Sequence, residues 1–419
     1  MLIGIDASRA NRGHKSGTEW YSYYLIKALA KIDSKNEYIL YTDQPLINGL
    51  LDLACTEATC RRTDVEYDAD GYQKLISPHH NFKAKVVNWP LKYFWTLGAL
   101  SWEMLTKKPD VLFVPAHGIP LIHPAKTVAT IHDIGFKQEK KLYNPERIGY
   151  KIKGWDWFVG LVTFGKHKAT ALDYLDWSTG FALKQAQAII TISDFSKSEL
   201  IKHYHADPKK IAVIHNGYNN ELFSFEPKTE KLSAILETYG IERPYIFYVG
   251  RLEKKKNIAK LIEAYALARQ NFGIKQKLYL IGDASYGYDE IKYLINEFGV
   301  DRYVVATGWI EESHLPFIFK GGDAFVFPSK YEGFGIPLLQ AMAAGTPIVA
   351  SNVASIPEIA GDAALYFNPD DAFDMAEKIA KIIQNEETKQ SLIKAGITRS
   401  QNFSWDNCAK ATLELIEKM

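Results

Sequence analysis

FVFPSKYEGFGIPLLQAMAAGTPIVAS, residues 325–351, reads as a strand, a glycine-containing turn, a helix and a second strand. The opening run is short and apolar, the turn holds Gly333 and Gly335, and a helix follows from about Ile336. A buried strand passing through a helix into another buried strand is the repeat of a parallel sheet. The same rhythm extends to both sides. Apolar runs at 245–249, 278–281, 303–306, 324–327, 347–350 and 364–367 predict strands, and helical patterns near 257–270, 288–298, 311–319, 335–344 and 372–384 separate them. Toward the N-terminus, strands are expected at 2–6, 38–41, 111–115, 127–131, 188–192 and 211–214, with helices over 18–31 and 195–204. This is an α/β chain built of doubly wound, Rossmann-like sheets.

At 419 residues the chain exceeds what one core organises, so two domains are expected. NGYNNELFSFEP at 216–227 breaks the periodicity with turn formers and a proline. The expected division is 1–218 and 219–403, with a last helix within 404–419 packing back on the first domain. Net charge is +1, so no global field recruits nucleic acid. Cys55, Cys60 and Cys408 are too few for a disulfide framework or a four-ligand zinc site, and unlinked thiols are the expectation. The start, MLIGIDASRA, reads as a buried strand rather than a signal peptide, and no apolar run approaches the about 20 residues of a membrane span. A cytoplasmic protein is expected.

Ligands of open α/β sheets bind beyond the carboxyl ends of the strands. Neither ASRANRGHKSGT, after the first strand, nor GRLEKKKN, after the strand at 245–249, carries the G-x-G-x-x-G of a nicotinamide site. GRLEKKKN instead places Arg251 and Lys256 at a strand end, with Asn257 opening a helix. An arginine fork, a mobile lysine and a helix N-terminus suit a diphosphate. On those residues alone a solvated basic turn of Lys254, Lys255 and Lys256 is an equal reading. In the segment 325–351, Glu332 is placed to accept hydrogen bonds from sugar hydroxyls, and Gln340 lies eight residues on, two turns into the helix. A plain strand–helix turn with an incidental glutamate is the alternative there.

Together these stretches resemble glycosyltransferase family 4, the retaining enzymes of the GT-B fold. GRLEKKKN resembles its G-R-x-x-x-x-K-N diphosphate clamp, and SKYEGFGIPLLQAMAAGTPIVAS resembles its E-x7-E donor segment. TIHD (130–133), TISDFSKSEL (191–200), HNGY (215–218) and SGTEWYSYYLIKAL (16–29) are similar to its first-domain and linker signatures. The resemblance covers most of the chain apart from about 44–108 and 137–180. It implies two Rossmann-like domains facing across a cleft, with Arg251 and Lys256 holding the diphosphate of a nucleotide sugar. Glu332 and the amides of Gly333, Phe334 and Gly335, at the start of the helix from Ile336, would hold the donor sugar. His132 would point at that sugar, Trp309, Ile310 and Leu315 would line the base pocket, and Gly17 would lie near the phosphates or acceptor. For His132, a packed histidine bonded to a neighbouring turn is the alternative. The family's second glutamate is Gln340 here, which keeps one acceptor and loses the charge, at about 1 kcal/mol of donor affinity.

The resemblance implies transfer of a hexose, mannose-like as a first guess, to a glycan or lipid-linked acceptor in cell-surface polysaccharide or glycoconjugate assembly. No cofactor and no metal are expected. A D-x-D at Asp68–Asp70 sits in a polar stretch, VEYDADGYQ, and reads as a loop. A non-hydrolysing sugar-nucleotide epimerase and a non-catalytic sugar-nucleotide-binding relative are the competing readings. Two segments stand outside the family pattern. One holds Trp89, Tyr93, Phe94, Trp95 and Trp102; the other, 137–168, has eight basic residues against three acidic ones, interleaved with Trp155, Trp157, Phe158 and Phe164. Such mixtures suit peripheral contact with the inner face of an anionic membrane. Packing of the same aromatics inside the domain is an equal expectation.

Overall fold

The computed structural model describes residues 1–46, 50, 73–74, 81–90, 94–143 and 170–419. Cys55, Cys60, Asp68–Asp70, Tyr93 and the aromatics Trp155, Trp157, Phe158 and Phe164 lie outside the described residues. Two compact units are present. The first comprises Met1–Gln138, Pro145–Asn216 and Trp405–Met419; the second comprises Gly217–Ser404 with Glu139–Asn144.

The first unit is built on β1 (Leu2–Asp6), β2 (Glu37–Thr42), β3 (Gln73–Lys74), β4 (Phe82–Val86), β5 (Val111–Val114), β6 (Thr127–Ile131), β7 (Ala188–Thr191) and β8 (Ile211–Val213). Their order is β3-β4-β2-β1-β5-β6-β7-β8, parallel throughout except for the β3–β4 pair. Helix Trp405–Glu417 lies on helix Gly17–Ile32 in this unit. The Trp405 ring stacks on Tyr24 at 5.6 Å, and Lys31 pairs with Asp406 at 2.7 Å.

The second unit is built on β9 (Tyr245–Val249), β10 (Lys277–Ile281), β11 (Val304–Gly308), β12 (Ala324–Phe327), β13 (Ile348–Ser351) and β14 (Ala364–Phe367). All pairs are parallel, in the order β11-β10-β9-β12-β13-β14. Alternation along β9 shows why these strands read as unbroken apolar runs. Ile246 and Tyr248 join a core with Leu261, Ile262, Tyr265, Met375 and Ile379 of helices Ile258–Phe272 and Ala372–Gln384. Tyr245 and Phe247 point the other way, where Phe247 meets Phe319 at 5.1 Å and Phe325 at 5.4 Å between ring centres. With both faces covered, neither set of positions can be polar. Each buried aromatic contributes roughly 1.5–3 kcal/mol.

Several boundaries differ from the expectation. The helix placed at 311–319 is Leu315–Gly321, preceded by a turn in which His314 N–H donates to Glu311 O at 2.9 Å. Pro316, which lacks an N–H, fits only the first turn of a helix and so sets its start. The helix expected from Asn257 begins at Ile258, because Asn257 has φ +59°. Helices Ala99–Thr106, Ala171–Gln185, Thr229–Thr238 and Glu386–Ser400 are additional.

Winding reverses once in each sheet. In the first it does so at β1, which lies between β2 and β5; in the second at β9, between β10 and β12. Such switch points open a crevice beyond the carboxyl ends of the strands.

Candidate active site

The two stretches singled out for donor chemistry leave the two strands that flank the second unit's switch point. GRLEKKKN follows β9, and SKYEGFG follows β12, its neighbour in the sheet. Strand adjacency therefore brings Lys256 to Glu332, and their side chains pair at 2.6 Å, Nζ to Oε1. Both are mostly buried, 17% and 13% exposed. The turns are tied by backbone as well, since Lys330 N–H donates to Lys255 O at 3.0 Å.

Behind the clamp the chain is held without slack. Gly250 has φ +147°, and a Cβ there would lie 2.5 Å from the Tyr248 hydroxyl. That hydroxyl donates to Arg251 O at 3.1 Å. Burial, then the carboxylates of Glu332 and Glu253, push its pKa well above the ordinary tyrosine value, so it stays a donor. Gly250 N–H donates to Ile281 O, Leu252 N–H to Asp283 O and Gly282 N–H to Gly308 O, all at 2.9 Å, which stitches the ends of β9, β10 and β11 together. Asn257 Nδ2 donates to Pro369 O at 2.8 Å and anchors the turn from below. Arg251 is exposed at the end of this frame.

After β12, Gly335 has φ +100° and closes the turn ahead of helix Ile336–Ala344. Gly333 is not among the residues of positive φ, so only Gly335 needs glycine for its backbone. Gln340, expected two turns into the helix, lies one turn in, because the residues from Glu332 to Gly335 form the turn rather than helix. That keeps its half-buried side chain near the helix N-terminus. Trp309 and Ile310 follow β11, the first exposed and the second buried, and half-buried Leu315 opens the next helix. The structure thus gathers Arg251, Lys256, Glu332, Gly333, Phe334, Gly335, Ile336, Gln340, Trp309, Ile310 and Leu315 in one unit, at the carboxyl edge of one sheet.

His132 and Gly17 belong to the first unit. His132 follows β6 and is buried; its ring lies edge-on to Tyr21 at 4.6 Å, with Nε2 3.1 Å from Pro115 O. Nε2 therefore carries the proton. Burial, reinforced by neighbouring His117, lowers its pKa to about 4, so the ring is neutral at pH 7. Gly17 opens its helix beside the Ser16–Glu19 capping box, in which Ser16 N–H donates to Glu19 Oε2 at 3.2 Å. A Cβ on Gly17 would meet nothing within 4 Å, so the glycine leaves open space there.

The sequence reading missed Tyr248, Gly282 and Ser355. Only Ser355 carried a local signal, a serine directly before Ile-Pro, which marks a helix start.

Two parallel-sheet units of this construction define the GT-B class of nucleotide-sugar folds. Solved structures of that class match the whole chain. Sucrose-phosphate synthase from Thermosynechococcus elongatus aligns with a TM-score of 0.69 over 100% of this chain and 98% of that one, at 20% identity. HepE from Anabaena, solved with UDP-glucose, aligns with a TM-score of 0.67 over 100% and 99%, at 17% identity. Family models match along the chain, "Glycosyltransferase Family 4" over residues 16–222 and "Glycosyl transferases group 1" over residues 235–399. The chain belongs to glycosyltransferase family 4. O-antigen chain mannosyltransferase B of Escherichia coli is 30% identical over 248 residues, which are 59% of this chain and 65% of that protein. The match therefore spans less than two thirds of that relative's length.

Proposed function

We propose that this protein is a retaining hexosyltransferase that uses a nucleoside diphosphate sugar, without a metal, to extend a glycan or lipid-linked acceptor. The observation that carries this reading is the meeting of Lys256 with Glu332 at the β9/β12 switch point, beside Arg251. In the reaction the bond from the sugar's C1 to the diphosphate oxygen breaks, and a bond from C1 to the acceptor oxygen forms on the same face. The acceptor's proton passes to the departing phosphate. Negative charge grows on the diphosphate as the sugar becomes oxocarbenium-like. Arg251 and Lys256 stabilise that charge, and Glu332 with the amides of Gly333–Gly335 orients the sugar. His132, neutral and with its Nε2–H given to Pro115 O, has a hydrogen-bond acceptor rather than a charge to offer a ligand of its own unit. Relatives named as mannosyltransferases support mannose as the first sugar to test.

The test measures nucleoside diphosphate release from GDP-, UDP- and ADP-sugars, with and without glycan acceptors, in buffer and in chelator. Release that needs an acceptor and survives chelator is expected. An altered sugar nucleotide formed without acceptor would make the protein an epimerase, and binding without turnover a non-catalytic relative. Loss in chelator, restored by Mn²⁺ or Mg²⁺, would overturn the metal-free reading.

We place the protein in the cytoplasm, at the inner face of an anionic membrane. Among the described residues no helix is long and apolar enough to cross a membrane. Of the aromatics in the first unusual segment, Trp95 donates to Val87 O at 2.7 Å and Trp89 packs against Gly98, so both half-buried rings are engaged by their own unit. Trp102 instead is 68% exposed, with Leu105 at 59%, Leu121 at 52% and Ile122 at 42%. Ser101 Oγ accepts from Ile122 N–H at 3.3 Å, which ties the two segments to each other. Lys107, Lys108 and Lys126 follow these segments in sequence, and exposed apolar side chains with lysines suit an anionic headgroup zone. Flotation with vesicles containing phosphatidylglycerol should carry the protein up, and the double variant W102S/L105S should stay down. Equal flotation of both would remove this contact.

A further inference from the structure

The donor turn has a support that none of the motifs includes. Ser355 is fully buried, between β13 and helix Ile356–Ala360. Its Oγ lies 2.9 Å from the carbonyl oxygen of Glu332 and 3.3 Å from that of Phe334. A serine has one hydroxyl hydrogen, so the two carbonyls share it, the nearer taking the larger part.

We infer that Ser355 is a positioning residue for the donor sugar, acting through the two peptide planes it holds. In a trans peptide the C=O and the next N–H point in opposite directions. Holding the Glu332 carbonyl toward buried Ser355 turns the Gly333 N–H away from it. Holding the Phe334 carbonyl does the same for the Gly335 N–H. Both amides then point away from Ser355, on the turn whose Glu332 side chain meets Lys256. Glycine-containing turns rotate easily about their peptide planes, so this orientation needs a restraint.

Ser355 is itself held firmly. Ile359 N–H donates to Ser355 O at 3.0 Å. From helix Glu386–Ser400, Arg399 donates through Nε to Ile359 O at 2.6 Å and through Nη2 to Glu358 O at 2.5 Å. The helix carrying Ser355 is thus anchored at its far end by a charged side chain that satisfies its last carbonyls. The chain of support runs from Arg399 through the short helix to Ser355 and on to the turn. Ser355 touches no substrate; it acts through amides that do.

This inference rests on the proposed donor site, and one experiment separates the two. Calorimetric titrations with the pairs UDP-glucose/UDP and GDP-mannose/GDP are run on the wild type, Ser355→Ala and Ser355→Cys. The amides are assigned to the sugar and the Arg251/Lys256 clamp to the diphosphate. S355A should therefore bind the sugar nucleotide at least tenfold more weakly than wild type, with nucleoside diphosphate affinity within twofold. Cysteine is a weaker donor of similar shape, so S355C should show the same split at smaller size, and it serves as the readout should S355A fail to fold. Equal weakening toward both members of a pair would mark Ser355 as merely structural and overturn the inference. Unchanged sugar-nucleotide affinity would overturn it too. A wild type that binds neither pair would sink the donor reading, and the inference with it.

Discussion

Arg251→Ala and Lys256→Ala are each expected to lower kcat/KM by about 10²-fold or more, the scale for removing a group aimed at charge that grows in the transition state. Their side effects should differ, and the difference is diagnostic. Arg251 is exposed at the end of a frame made of backbone and Tyr248, so its loss should leave the melting temperature within about 2 °C of wild type. Lys256 is mostly buried against Glu332, so its removal leaves a partly buried carboxylate without its 2.6 Å partner. About 1–3 kcal/mol of stability should go with it. Adding Glu332→Gln to Lys256→Ala should recover part of that stability and none of the activity. Steady-state rates with the preferred donor, set beside thermal melts, measure both quantities. Near-normal transfer by both single variants would remove the clamp from the mechanism.

Gly282→Ala should produce the largest loss of stability from a single methyl group. The added Cβ would lie 2.2 Å from Gly250 O and 2.7 Å from Gly250 C, both backbone atoms that no rotamer change can move. Gly282 also has φ +135°, a region L side chains avoid. Relief requires the loops after β9 and β10 to part, at the cost of the Gly250–Ile281 and Leu252–Asp283 hydrogen bonds. A loss of about 3 kcal/mol or more is expected, or roughly 6–12 °C in the melting temperature of a unit of this size. Donor binding should fall with it, since Arg251 sits on the displaced loop. Gly17→Ala is the matched control: its Cβ meets nothing within 4 Å, and its melting temperature should not change. A Gly282→Ala protein as stable as wild type would mean that the loops are not locked as described.

Much of this architecture could be read from short range. Strands such as β1, β9, β12 and β14 begin and end where the short, largely apolar runs do; β9 and β12, inside their sheet, are covered on both faces and so read as unbroken apolar runs. Helix starts were read less well. Asn257 and Gly335 lie outside their helices because of positive φ, and the turn at Glu311–His314 looks helical until Pro316 is considered. Helix Ala171–Gln185 went unread because it follows a basic, aromatic stretch without clear periodicity. Tyr248 looked like one more core residue, since nothing beside it in the chain reveals that its hydroxyl reaches Arg251 O.

By itself the sequence determined the alternation of strands and helices, the family, and the two turns that carry Arg251, Lys256 and Glu332. Each of these rests on residues within a few positions of one another, where periodicity and glycine or proline punctuation act. The tertiary structure alone decided that Lys256 meets Glu332 across 76 positions of chain, and that Ser355 stands behind the donor turn 23 positions from Glu332. The physical reason is strand order. β9 and β12 become neighbours through packing on both faces of the sheet, and nothing local in either strand names its partner.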